Sequence, residues 1–202
     1  MPLFIKYPEN PFYFSLKLWL SIPILFLCGV SRSEVIPEIS LQIGQDRVVV
    51  TTYQWINTTN LGKSSSSILS DINSIAWLRG INIPFQLNKY ENSHVLRFNL
   101  KSEASRDYEW ILSFDGWSYV DFYFKEPDQQ EFLSKKSGIL VPFRERDYPR
   151  GNNAFIRLNV MKNQYLECVV FLRQDYSKTD FPPLNLNFKI SDIEHADAYE
   201  SK

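Results

Sequence analysis

The sequence predicts an all-β protein: an antiparallel sandwich of two facing sheets, preceded by an N-terminal export signal. Three observations predict it. Several segments alternate apolar and polar side chains with period two, the mark of a strand with one buried face. Turn-forming clusters separate those segments, with no ten-residue helical pattern between them. Aromatic residues make up 15% of the 202-residue chain, and large rings suit pleated faces. Strands that are apolar on one side need a second layer, and two sheets packed face to face supply it.

The N-terminus comes first. Lys6 and Lys17 precede an apolar run over residues 18–30, interrupted by Pro23. A helix of that length spans about 20 Å, short of the roughly 30 Å hydrocarbon core. Ser31-Arg32-Ser33 follows as a small-x-small exit. Residues 1–33 therefore read as a secretory signal peptide cut near Ser31 or Ser33, with an uncleaved membrane anchor as the alternative. Cys28 raises lipidation, but the bulky Leu27 before it is a poor match to such a site; otherwise Cys28 leaves with the signal. Residues 34–193 read as one domain, and 194–202 as a polar, frayed tail.

Within that domain the alternation is plainest at four places. Over 95–101, Leu96, Phe98 and Leu100 oppose Arg97, Asn99 and Lys101. Over 117–125, Val120, Phe122 and Phe124 oppose Tyr119, Asp121 and Tyr123. Over 154–160, Ile156, Leu158 and Val160 oppose Phe155, Arg157 and Asn159. Over 184–190, Leu184, Leu186, Phe188 and Ile190 oppose Asn185, Asn187 and Lys189. Further strands are expected over 47–55, 83–87, 107–114, 138–143 and 164–172. Asp115-Gly116 reads as a hairpin turn. Ser64 to Ser67 form a loop that can cap a short helix running to Ile75. Asn57-Thr58-Thr59 fits a glycosylation sequon, a short and common pattern.

The sequence carries no announced reaction centre. It has no nucleophile elbow, Walker loop or dinucleotide fingerprint, and only seven glycines. His94 opens a strand as an edge polar residue, His195 lies in the tail, and no second histidine stands at zinc-ligand spacing. The acidic residues show no calcium-loop pattern. Twenty-two basic residues against 23 acidic ones leave no global basic field, so nucleic acid is not an expected partner. Cys168 sits in a strand-like run and reads as a buried structural thiol. No cofactor and no metal are expected. A pair of carboxylates that meet only in space stays open as an envelope-hydrolase reading.

Two constellations suit binding. Trp110, Trp117, Tyr119 and Tyr123 offer either stacking platforms for a sugar or another planar ligand, or simple cover for a sheet face. Arg144-Glu145-Arg146-Asp147-Tyr148-Pro149-Arg150 offers either forked grips for a carboxylate or phosphate, or a solvated loop of locally paired charges. Arg97 and Arg157 face away from the core on separate strands.

Residues 83–190 also carry an ordered set of short motifs. They are His94-Val95-Leu96-Arg97-Phe98-Asn99-Leu100, Asp107-Tyr108-Glu109-Trp110-Ile111-Leu112-Ser113-Phe114 and Val120-Asp121-Phe122-Tyr123-Phe124. Ser137-Gly138 with Pro142-Phe143 and Arg146 follows, then Phe155-Ile156-Arg157-Leu158 and Tyr165-Leu166-Glu167-Cys168-Val169. In this order they resemble the second type of extracellular sensor domain of bacterial seven-transmembrane receptors with diverse intracellular signalling modules. Val95 stands where that family has a Trp. The resemblance implies a jelly-roll sandwich, similar to carbohydrate-binding modules, that senses a ligand outside the cytoplasm.

The resulting expectation is a non-catalytic exported binding or sensor domain for a small molecule or glycan. Its expected contact residues are Arg97, Trp110, Trp117, Tyr119, Arg144 and Arg146. No later apolar span of membrane length follows the resembling segment, so three forms are open: a stand-alone binder, the partner of a separate membrane receptor, or a truncated receptor. A structural or adhesive envelope protein is the other reading.

Overall fold

A computed structural model describes residues 35–44, 47–59, 63–79, 92–151, 153–178 and 186–200. The signal segment with Cys28, and the strand expected over 83–87, lie outside the described residues. In chain order the elements are Glu38–Leu41 (β1), Val48–Val50 (β2), Gln54–Asn57 (β3), Ser65–Ser70 (α1), Leu78–Arg79 (β4), Ser93–Ser102 (β5), Tyr108–Phe114 (β6), Tyr119–Lys125 (β7), Leu133–Ser137 (β8), a short 3-10 turn at Phe143–Glu145, Ala154–Val160 (β9), Tyr165–Arg173 (β10), Phe188–Asp192 (β11) and Ile193–Glu200 (α2).

Two sheets result. The larger has the order β4-β3-β5-β10-β7-β8, and β1 pairs with β5 as its seventh strand. The smaller has the order β2-β11-β6-β9. The chain crosses repeatedly between them, as a jelly-roll sandwich requires. Strand β5 is long enough to take two partners on one edge: β3 pairs along His94–Arg97, and β1 along Asn99–Ser102. The β1 pairing is parallel, an exception to the antiparallel expectation.

The period-two pattern places the core. Leu96, Phe98 and Leu100 of β5, Val120 and Phe122 of β7, and Cys168, Val170 and Leu172 of β10 face Trp110, Leu112 and Phe114 of β6, Ile156 and Leu158 of β9, and Phe188 of β11. Phe188 sits among rings, stacked on Phe114 at 5.1 Å and tilted against Phe98 at 4.8 Å. Each fully buried large side chain here contributes roughly 1.5–3 kcal/mol.

Five expectations are corrected. The strand expected over 47–55 is two strands, β2 and β3, in opposite sheets; Tyr53 between them is buried and its hydroxyl donates to Asn187 Oδ1 at 3.1 Å. Asp115-Gly116 is a turn, but no hairpin, because β6 and β7 belong to different sheets. The strand expected over 138–143 lies earlier, at β8. Gly138, at φ +135°, presses its α-carbon against the Ser118 backbone where a Cβ would collide, and the amides of Ile139 and Leu140 bond to the carbonyls of Trp117 and Ser118. His94 is no edge residue: it is buried in β5, with Trp55 and Trp117 rings about it at 6.2 and 6.0 Å. The tail expected to fray forms α2, because Asp192 Oδ1 accepts the His195 amide at 2.9 Å and so caps the helix.

The expected short helix is α1, which ends at Ser70 rather than running to Ile75; it is started by Ser64, whose hydroxyl accepts the Ser67 amide. Ser191, Ser113, Ile111 and Phe155 on the outer face of the smaller sheet are buried as well.

Candidate functional site

Residues paired directly across strands share a face. Alternation puts Val95, Arg97 and Asn99 of β5 on the outer face of the larger sheet. Register then adds Arg173, Phe171, Val169, Glu167 and Tyr165 of β10, and Tyr119, Asp121, Tyr123 and Lys125 of β7. Gln54 and Ile56 of β3 join beside Arg97 and Val95.

The middle of this face is covered. Ile68 and Ile72, in and after α1, and Trp77 form a second buried cluster with Ile56, Val95 and Val169. Arg97, 6% exposed, fastens that cover. Its Nε and Nη2 donate to Glu167 Oε1 at 3.2 and 2.7 Å, Nη1 to the Ile72 carbonyl at 3.3 Å, and Nη2 to Asn73 Oδ1 at 2.8 Å. Its guanidinium also lies 5.8 Å from the Trp77 ring centre. Four of its five N–H donors are thereby engaged within the fold. Lys125 approaches Glu167 Oε2 at 3.7 Å and completes a row of alternating charge.

The other end of the face is open. Tyr119 opens β7 and Arg173 ends β10, and the two are cross-strand partners. The Arg173 guanidinium lies 4.3 Å from the Tyr119 ring centre, a close cation–π contact. Around them Asn92, Gln174, Asp175 and Tyr176 line a groove of about 490 Å³. Its floor is fixed by the backbone. The buried Gln174 accepts the Ser118 amide at 3.0 Å through Oε1, and its backbone N–H donates to the Asn92 carbonyl at 2.8 Å. The Asp175 amide donates to Ser118 Oγ at 2.9 Å. Hydrogen bonds from the Ser177 hydroxyl and amide, with Lys178 at 3.4 Å, hold the Asp175 carboxyl below the usual carboxylate range. Among the described residues, no acceptor engages the Arg173 guanidinium.

The residues expected from the sequence do not converge. Trp110 and Trp117 are in the core, at 0% and 1% exposure, so their ring surface goes to packing. Arg146 is a clasp: it donates to the carbonyls of Val141, Ile139 and Gly151 at 2.9, 3.0 and 3.2 Å. Arg144 is exposed in the 3-10 turn. Arg97 and Tyr119 share the outer face, one covered and one open. Arg157 lies on the smaller sheet, paired with Glu109 at 2.9 Å. Only Tyr119 lines the groove. Arg173, Asn92, Asp175 and Tyr176 escaped the sequence reading; the outward parity of Arg173 in the alternation over β10 was the one available signal.

The groups of three or more His, Cys, Asp or Glu side chains that would hold a metal are not found among the described residues. No helix among them is long and apolar enough to cross a membrane.

The model of the family described as 7TMR-DISM extracellular 2 matches residues 82–186, just over half of the 202-residue chain. The chain belongs to that family. No curated protein matches it. In this 7TMR-DISM extracellular 2 domain, the matched segment holds β5 to β10 entire, and with them every residue named around the groove. The α1 cover and α2 lie outside the match. The family is one of extracellular sensor domains, so the chain is an exported domain of that class.

Proposed function

We propose that this domain is a non-catalytic sensor that binds a small molecule or glycan in the Tyr119–Arg173 groove, and that a membrane receptor reads its occupancy. One observation carries the reading. An aromatic ring with a cation on its face lines a groove large enough for one sugar or a similar compound. The surrounding side chains give the polar contacts that fix orientation: the Asn92 amide donates and accepts, and the Asp175 carboxylate accepts from hydroxyls. Arg97, Arg144 and Arg146 stay outside this role, two of them because the fold itself engages them.

The test is a thermal-shift panel of neutral sugars, acidic sugars and small carboxylates on the exported chain. A ligand at a hundred times its Kd adds about 2.7 kcal/mol of stability, a readily measured shift. Tyr119→Ala should weaken any such ligand by about tenfold, since the ring surface lining the groove and the ring that holds Arg173 are both lost. A hit whose shift is unchanged by Tyr119→Ala places binding elsewhere and ends the assignment.

A further inference from the structure

We infer that the groove selects a carboxylate-bearing ring, an acidic sugar of the uronic-acid class, with Arg173 as the residue that sets this preference. The inference rests on the groove being the ligand site. The arginines of the molecule differ in what engages them. Arg97 and Arg146 have their N–H groups committed to acceptors of the fold. Arg157 and Arg47 are paired with Glu109 and Asp115. Arg106 lies over Tyr108 in a shallow hollow shared with Asp107, Glu109 and Glu194, whose charge repels an anion. Arg173 differs from all of these. Its guanidinium lies over a ring, its fork has no acceptor among the described residues, and it lines the groove.

Such a fork matches a carboxylate in two parallel bonds. The carboxylate nearest in sequence, Asp175, is already held by Ser177 and Lys178 and so does not occupy it. Asp175 instead offers acceptor positions to hydroxyls, and Asn92 offers both a donor and an acceptor. Tyr119 holds the guanidinium over its ring and adds apolar ring surface to the groove lining. Together these groups call for one carboxylate, an apolar ring face and hydroxyls on the same small molecule.

The experiment is calorimetric titration of the exported chain with galacturonate, glucuronate, galactose, glucose and benzoate, repeated with Arg173→Gln and Tyr119→Ala. The expected result is that one or both uronates bind about tenfold or more tighter than the matching neutral sugar. Arg173→Gln should bring the uronate down to the affinity of the neutral sugar, and rising salt should do so in part. Benzoate, lacking hydroxyls, should bind more weakly than the uronate. Equal affinity for neutral and acidic sugars, both lost in Tyr119→Ala, overturns the acidic preference and leaves the groove as the site. Binding of benzoate in preference to both sugars overturns the sugar class. If none of the five binds, the inference falls, and the wider ligand panel decides the fate of the groove itself.

Discussion

Gln54 is fully buried beside Arg97, and among the described residues neither its amide nitrogen nor its amide oxygen has a hydrogen-bond partner. A buried polar group in that state costs about 1–3 kcal/mol relative to a satisfied one. Gln54→Met, of similar shape and without the polar atoms, should therefore stabilise the protein by about 1 kcal/mol in urea denaturation; a loss of that size would mean the amide has a use the fold conceals. Cys168 is the opposite case, an apolar residue in an apolar place. Burial pushes its thiol well up, so the thiolate is suppressed. A maleimide reagent should leave Cys168 unlabelled in the native protein and label it on denaturation; rapid native labelling would contradict its burial. At this scale the sequence was readable where a residue obeyed its strand's parity, as Cys168, Phe122 and Ile156 did. It was opaque for Trp110 and Trp117, because a large ring reads equally as packing and as platform until the opposite sheet is placed. The Tyr119–Arg173 contact was opaque for a different reason. It is made by strand pairing between distant segments, which alternation within either strand does not record.

Among the elements, the stretch that follows β8 shows how an apolar run can mislead. Ile139, Leu140 and Val141 look like strand residues. The polar Leu133–Ser137 is the strand instead, because an outer edge strand takes lysines well. The segment beyond it closes the seam where the edges of the two sheets meet. Asp147 does this work: its carboxylate accepts Lys135 Nζ at 2.8 Å from one sheet and the Arg157 amide at 2.7 Å from the other, while its own amide donates to the Lys136 carbonyl at 2.7 Å. Asp147→Ala should cost about 1–2 kcal/mol, since it leaves the Arg157 amide without its acceptor and leaves Lys135 only the Arg157 carbonyl. The check is the denaturation midpoint, with Arg144→Ala as the control; its side chain is exposed and the change should be near neutral. Equal effects of the two would remove the seam from the account. Helix α2 escaped sequence reading for a related reason. Its apolar content is low, and what starts it is the Asp192 cap, itself placed by β11 and tied to the Gly44 amide at 3.1 Å.

For the molecule as a whole, the titrating groups set a stability window with two different edges. On the acid side, hydrogen bonds from Gln42 and Ser40 lower Glu103, and those of Ser177 lower Asp175. Burial opposes the charge of Asp115, but Lys189, Ser113 and Arg47 around it bring the carboxyl below its ordinary range. A carboxyl lowered in the folded state contributes stability above its unfolded value and loses it as pH falls through the folded one. Stability should therefore decline below about pH 4, where unfolded carboxyls begin to take up protons before the folded ones do. On the alkaline side the sign reverses. Burial raises Tyr53 from the ordinary 10 to about 12. The unfolded chain ionises there first, so the contribution of Tyr53 is whole below pH 10 and fades as pH rises towards 12. Tyr53 also joins the two sheets, standing between β2 and β3 with its ring 6.4 Å from Phe188. Its ionisation would place a charge inside the sandwich, so loss of stability there should be cooperative across both sheets. Tyr53→Phe removes the ionisable group at the expense of the hydroxyl bond to Asn187. Its denaturation midpoint should be slightly lower at pH 7 and flatter between pH 10 and 12, read by near-ultraviolet dichroism alongside tyrosinate absorbance. An unchanged alkaline slope in that variant would assign the edge to the more exposed Tyr123 and Tyr165, which burial also raises.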